Sequence, residues 1–165
     1  MSKVNERLEQ FTSDILLAND MYTIPVDVIR LANANDIKVF EANLEKNISG
    51  AIRLNKENDK YEILVNSQNS DVRKRYTIAH ELGHYFLHKN QLKSDVHVDE
   101  ILYRTENNQD EVEREKEADY FGGALLMNRM LLTKLHDSYS IKELADLFDV
   151  SISAMTVRLD ILGIL

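Results

Sequence analysis

The chain has 165 residues, 28 acidic and 20 basic side chains and a formal charge of −8. That length supports one real core, burying roughly 70% of the unfolded chain's accessible area, and 44% hydrophobic with 29% charged residues excludes a disordered chain. The absence of cysteine excludes disulfides, iron–sulfur clusters and thiolate metal sites; no uncharged apolar run nears the roughly 18 residues of a membrane span; and the acidic balance argues against a dominant phosphate-binding surface.

The first residues, Met1 to Arg7, lead into no apolar segment, so no secretory leader is expected and the cytoplasm is the expected address. Val4, Leu8, Phe11, Ile15 and Leu16 recur at helical spacing and predict an amphipathic helix from residue 3 to about 20. Pro25 suits the first turn of a second helix, with Val28, Ile29, Leu31 and Ala32 as its buried side. Ile37 to Phe40 reads as a short strand. Two β-like runs, Ala51–Asn55 and Tyr61–Asn66, are joined by the polar Lys56–Lys60, as in a hairpin with a five-residue loop. Residues 71 to 88 are helical in pattern, and 89 to 109 read as a loop with little regular structure. A long helix is expected from about Asp110 to Leu132, then two short helices broken at Asp149-Val150-Ser151, with Ser151 as N-cap of the second. The expected class is α+β: a small, mostly antiparallel sheet packed on a buried helix, with a helix-turn-helix-like ending. The expected domains are residues 1–136 and a C-terminal helical segment, 137–165.

The informative segment is Arg75 to His88, which contains His80-Glu81-Leu82-Gly83-His84, an H-E-x-x-H pattern. Four residues advance an α-helix by about 400°, so His80 and His84 lie about 40° apart, one turn above each other. Two imidazoles can then grip one Zn²⁺ from a single face. Glu81 sits about 100° round, able to reach a water held by the cation without being a ligand. Ile78, Ala79, Leu82 and Phe86 fall on the opposite side, and Gly83 leaves room for a close approach.

A catalytic zinc site needs a third protein ligand. A third histidine in the metzincin position fails, because residue 90 is Asn90. The acidic run from Glu111 to Asp119 offers a carboxylate. Ala118, Phe121, Gly122 and Leu125 form a small-and-apolar arc, with Ala118 and Gly122 spaced to pack tightly on the His helix. Glu115 stands on the shoulder of that arc and is the expected third ligand, with Glu111 the weaker alternative. Asp119, one turn along, can accept a hydrogen bond from the free ring nitrogen of a ligating histidine. Glu113 and Glu117 point away and read as a solvated face.

Residues 75–88, followed by Glu115, Ala118-Asp119, Phe121 and Leu125-Leu126-Met127, resemble the ImmA/IrrE family of zinc metallopeptidases. The strand pair before the His helix and the ending from Tyr139 to Gly163 are similar to that family's, so the resemblance covers roughly residues 25 to 165. It implies a gluzincin-like peptidase that cleaves helix-turn-helix repressors of phages, mobile elements or stress regulons, with zinc on His80, His84 and Glu115 and catalysis by Glu81. Two positions depart from the family's habit: Gly122, where alanine is frequent, and Asn128, where proline is frequent.

On this reading Glu81 takes a proton from the attacking water and passes it to the leaving amine. Tyr61 to Asn66 is the expected sheet edge for an extended peptide. Tyr76, His88, His97, Tyr103 and Tyr120 are all candidates for stabilising the oxyanion, with packing or a helix-end hydrogen bond the plainer role for His88. Zinc is the expected cofactor, although the ligand types also suit Mn²⁺. Two rivals remain. A metal-holding anti-repressor would bind its partner without cutting it. A DNA-binding regulator would use the tail, but residues 139–165 carry a net −2, and the only basic residue of the second tail helix is Arg158. The expected partner is therefore a repressor protein, with neither nucleic acid nor membrane.

Overall fold

The computed structural model describes residues 2–90, 92, 97–100 and 109–165, of which 97–100 by backbone alone. The elements in chain order are α1 (Lys3–Ala18), α2 (Val28–Ala34), β1 (Lys38–Ala42), β2 (Ile48–Asn55), β3 (Lys60–Asn66), α3 (Asp71–His88), β4 (His97–Glu100), α4 (Gln109–Leu126), α5 (Arg129–Leu135), α6 (Ile141–Phe148) and α7 (Ile152–Leu162). The class is α+β. Contacts group the chain into two compact units: Val28–Gly122, and Met1–Asp27 together with Gly123–Leu165. This grouping places residues 123–136 with the tail.

In the first unit the sheet runs β1-β3-β2-β4. β1 pairs with β3 in parallel, Val39 opposite Ile63. β2 is antiparallel to β3, Ile52 opposite Ile63, and antiparallel to β4, with a shift in register between Ile48 and Gly50. Two of the three pairings are antiparallel, as expected. The place of β3 is not: it lies inside the sheet with both edges hydrogen-bonded, so Tyr61–Asn66 has no free edge for a peptide, and the outer strands are β1 and β4. The near-continuous burial of Tyr61, Glu62, Ile63 and Val65 fits an interior strand. β4 also corrects the reading of residues 89–109 as irregular. Its backbone bonds come from β2, a distant partner that no local periodicity reveals.

The hairpin loop is four residues, because Lys60 already pairs with Asn55. Asn55 and Asn58 accept from the backbone N–H of Glu57 and Lys60, and Asp59 takes the left-handed conformation. α3 lies directly against the sheet: a Cβ at Gly50 would run into the Thr77 side chain and sit 2.7 Å from the Leu64 carbonyl oxygen. Pro25 precedes α2 rather than opening it, and Ile29 is 51% exposed while Val28, Leu31 and Ala32 are buried.

In the second unit, the helix expected to reach Leu132 breaks after Leu126. Asn128 is the cause. Its side-chain oxygen accepts from the N–H groups of Met130 (2.9 Å) and Leu131 (3.4 Å), capping α5, and also from the Tyr22 hydroxyl at 2.6 Å. Its amide donates to Ser13 at 2.9 Å. α6 and α7 form the expected helix pair, turned by Asp149 in the left-handed region and restarted by the Ser151 cap. No helix among the described residues is long and apolar enough to cross a membrane.

Candidate metal centre

α3 begins at Ser70, whose hydroxyl accepts from the Arg73 N–H, and runs five turns. Ile78, Ala79 and Leu82 are buried on its apolar side. Tyr76, His80, His84 and His88 recur every fourth residue and so line one stripe. His80 and His84 are 3% and 1% exposed, with Nε2 atoms 3.0 Å apart and ring centroids 4.7 Å apart.

α4 crosses α3 where side chains are smallest. A Cβ on Gly83 would lie 3.1 Å from both Cα and O of Ala118, and a Cβ on Gly122 would lie 3.2 Å from the His80 backbone nitrogen. This approach brings Glu115, one turn before Ala118, to the histidines: Oε2 is 3.4 Å from His80 Nε2 and Oε1 is 3.2 Å from His84 Nε2. Glu115, not Glu111, completes the cluster of donors able to hold a metal ion. A cation bonded at about 2.0–2.1 Å to tetrahedral nitrogen and oxygen donors spaces them about 3.4 Å apart. The observed separations are 3.0 Å between the two Nε2 atoms and 3.2 and 3.4 Å to the two Glu115 oxygens, close to that spacing, so the three residues suit such an ion with small adjustments.

Asp119 sits where helical angles put it, its Oδ1 3.0 Å from His80 Nδ1. Burial opposes its ionisation, but the His80 ring and the Tyr76 hydroxyl outweigh that and hold the carboxyl below its ordinary range. A carboxylate only accepts, so His80 must donate from Nδ1 and turn the Nε2 lone pair towards His84 and Glu115.

Glu81 is fully buried on α3. Glu113 is exposed as expected. Glu117 is not merely solvated, because its Oε2 comes within 3.6 Å of His88 Nε2. His88 is buried, its ring 5.6 Å from that of His84. Tyr76, offered by the sequence as an oxyanion donor, gives its hydroxyl to Asp119 at 3.1 Å. The sign was present in the four-residue stripe, which sets Tyr76 one turn before His80. Tyr103 and the side chain of His97 lie outside the described residues.

An α+β unit whose buried H-E-x-x-H helix is crossed by a second helix bearing a glutamate brings together three donors able to hold a metal ion between two helices. Residues 32–160 match the family model Peptidase_M78, the IrrE N-terminal-like domain, and the chain belongs to that family. No curated protein matches the sequence. Among solved structures, a Mycobacterium tuberculosis transcriptional regulator is similar in fold, with a TM-score of 0.67 at 19% identity. The similarity covers 94% of this chain and 46% of that one, so this chain spans less than half the length of that protein.

Proposed function

We propose that the protein is a cytoplasmic zinc-dependent endopeptidase whose substrate is a helix-turn-helix transcriptional repressor. The observation that carries this reading is the convergence of His80 Nε2, His84 Nε2 and both Glu115 oxygens, at separations of 3.0 to 3.4 Å, beside a buried glutamate in the same helix. His80, His84 and Glu115 would hold the ion. When bound there, zinc supplies Lewis acidity, acidifying water and polarising the scissile carbonyl. Asp119 keeps the proton of His80 on Nδ1 and the ring in orientation. The Glu81 carboxylate takes the proton of the attacking water and delivers it to the leaving amide nitrogen. The low exposure of both histidines limits bulk water around the reacting groups. Membership of a peptidase family and this donor set support hydrolysis. The family resemblance of the motifs supports a repressor as substrate.

The test is to incubate the purified protein with the repressor encoded beside its gene, with zinc, with manganese and with a chelator. Metal-dependent scission is expected. Glu81→Gln should retain zinc and cut nothing, because the amide cannot take the proton. A repressor left whole under every metal condition would favour an anti-repressor that acts by binding. Normal cleavage by the Gln variant would remove Glu81 from its role.

A further inference from the structure

Tyr76 has a single hydroxyl proton, and the geometry says where it goes. The hydroxyl lies 3.1 Å from Asp119 Oδ1, the same oxygen that accepts from His80 Nδ1 at 3.0 Å. An ionised carboxylate has no proton to give, so both neighbours donate to it. The phenol is itself braced. The Arg73 guanidinium stands 5.8 Å from the centroid of its ring, and Arg73 Nη2 and Nε bond to the buried Ser49 hydroxyl of β2 at 2.8 and 3.3 Å. Asp119, by contrast, is 45% exposed on its side chain, so the Tyr76 hydroxyl gives it a second anchor beside His80.

We infer that Tyr76 is a positioning residue of the metal centre: its hydroxyl fixes Asp119 so that Asp119 fixes His80, with Nε2 directed at His84 and Glu115. This rests on reading His80 as a metal ligand. It also takes Tyr76 out of the group of oxyanion donors, since its proton is committed on the far side of the His80 ring from the donor cluster. A chain of this kind works by orientation, because a histidine whose Nδ1–H is held cannot present that nitrogen to the ion or rotate out of the cluster.

The test is a cycle of Tyr76→Phe, Asp119→Ala and the double variant. Phenylalanine keeps the ring and removes only the hydroxyl, so packing is preserved. Zinc affinity is read by competition with a chromophoric chelator. The proton on the His80 ring is read by nitrogen NMR of the metal-free proteins. Partners of a ligating histidine are worth about 10- to 100-fold in affinity, which is the loss expected for Asp119→Ala. One step further out, Tyr76→Phe should cost about three- to tenfold and shift the metal-free His80 ring towards the Nε2–H tautomer. In the double variant, removing the hydroxyl should add nothing to Asp119→Ala, to within about twofold. A generic packing role would add its cost in both backgrounds and leave the tautomer alone. Wild-type zinc affinity in Tyr76→Phe, or an undiminished loss in the Asp119→Ala background, overturns the inference. A wild-type protein that binds no zinc would instead overturn the metal reading itself, and is seen in the first titration.

Discussion

The helix crossing that assembles the cluster can be tested by adding one methyl group. Gly83 and Gly123 both lie inside helices, and replacing glycine by alanine in a helix interior gains about 1 kcal/mol of propensity at either place. The surroundings differ. A Cβ at Gly123 meets nothing within 4 Å, whereas one at Gly83 meets backbone atoms of Ala118 at 3.1 Å and the Phe121 ring at 3.2 Å. Backbone cannot rotate aside, so α4 must shift by a few tenths of an ångström, at an overpacking cost of about 1–3 kcal/mol. The propensity gain is common to both variants and cancels, leaving Gly83→Ala less stable than Gly123→Ala by about 1–3 kcal/mol, or some 2–10 °C in Tm for a domain of this size. The shift also carries Glu115, one turn from Ala118, so zinc affinity should fall in Gly83→Ala and hold in Gly123→Ala. Urea titration and chelator competition on the two proteins measure both effects. Equal stability and equal zinc affinity would refute a crossing as close as the one described.

Further outcomes follow from other parts of the structure. Zinc at 100 times its dissociation constant should stabilise the wild type by about 2.7 kcal/mol; Glu115→Ala should lose most of that increment in a thermal scan and Glu81→Gln should keep it. Asn55 and Arg53 hold the Glu62 carboxyl below its ordinary value of 4.5, so its contribution is present above that value and lost as pH falls through the lower, folded one. Glu62→Gln should therefore cost about 1 kcal/mol at neutral pH, discounted for the half-exposed Arg53, with the gap to wild type closing in acid. In the second unit, Glu9 pairs with Arg158 at 2.8 Å, both side chains under 10% exposed. Glu9→Gln strands a buried guanidinium and should cost about 3–5 kcal/mol by denaturant titration, while an apolar replacement of both partners should recover much of it.

What the sequence disclosed was what local periodicity and spacing control. The His80–His84 pair follows from the pitch of one helix, and Glu115 over Glu111 follows from which side of α4 carries Ala118 and Gly122. Asp149 and Ser151 punctuate the tail by their own backbone preferences. What stayed hidden depends on distant partners. β4 exists because β2 offers it an edge, and β3 is interior because β1 returns to it in parallel. The break before α5 needs Tyr22 and Ser13, more than 100 residues away, to hold Asn128 as a cap. Glu117 reads as solvated by helical angle alone, yet its side chain is long enough to reach back to His88.

Arg158 illustrates the same lesson with a functional consequence. By spacing, α6 and α7 make a helix-turn-helix, and a second helix that reads DNA must bring cations or amides to phosphates and base edges. Arg158 is the one basic residue of α7, and it is 3% exposed: its Nη atoms bond Glu9 and its Nε donates to the Met127 carbonyl at 3.0 Å. A charge reversal there would dismantle the core of its unit before it could report on any contact with DNA. With Leu144, Ala145, Phe148, Met155 and Leu159 buried, the pair's helical spacing of apolar residues is accounted for by packing. The surface α7 leaves exposed includes Ile152 and Val157, side chains that carry no charge for a phosphate. The motif's geometry and its chemistry thus separate: α6 and α7 pair as a helix-turn-helix would, while α7 presents no basic side chain at its surface.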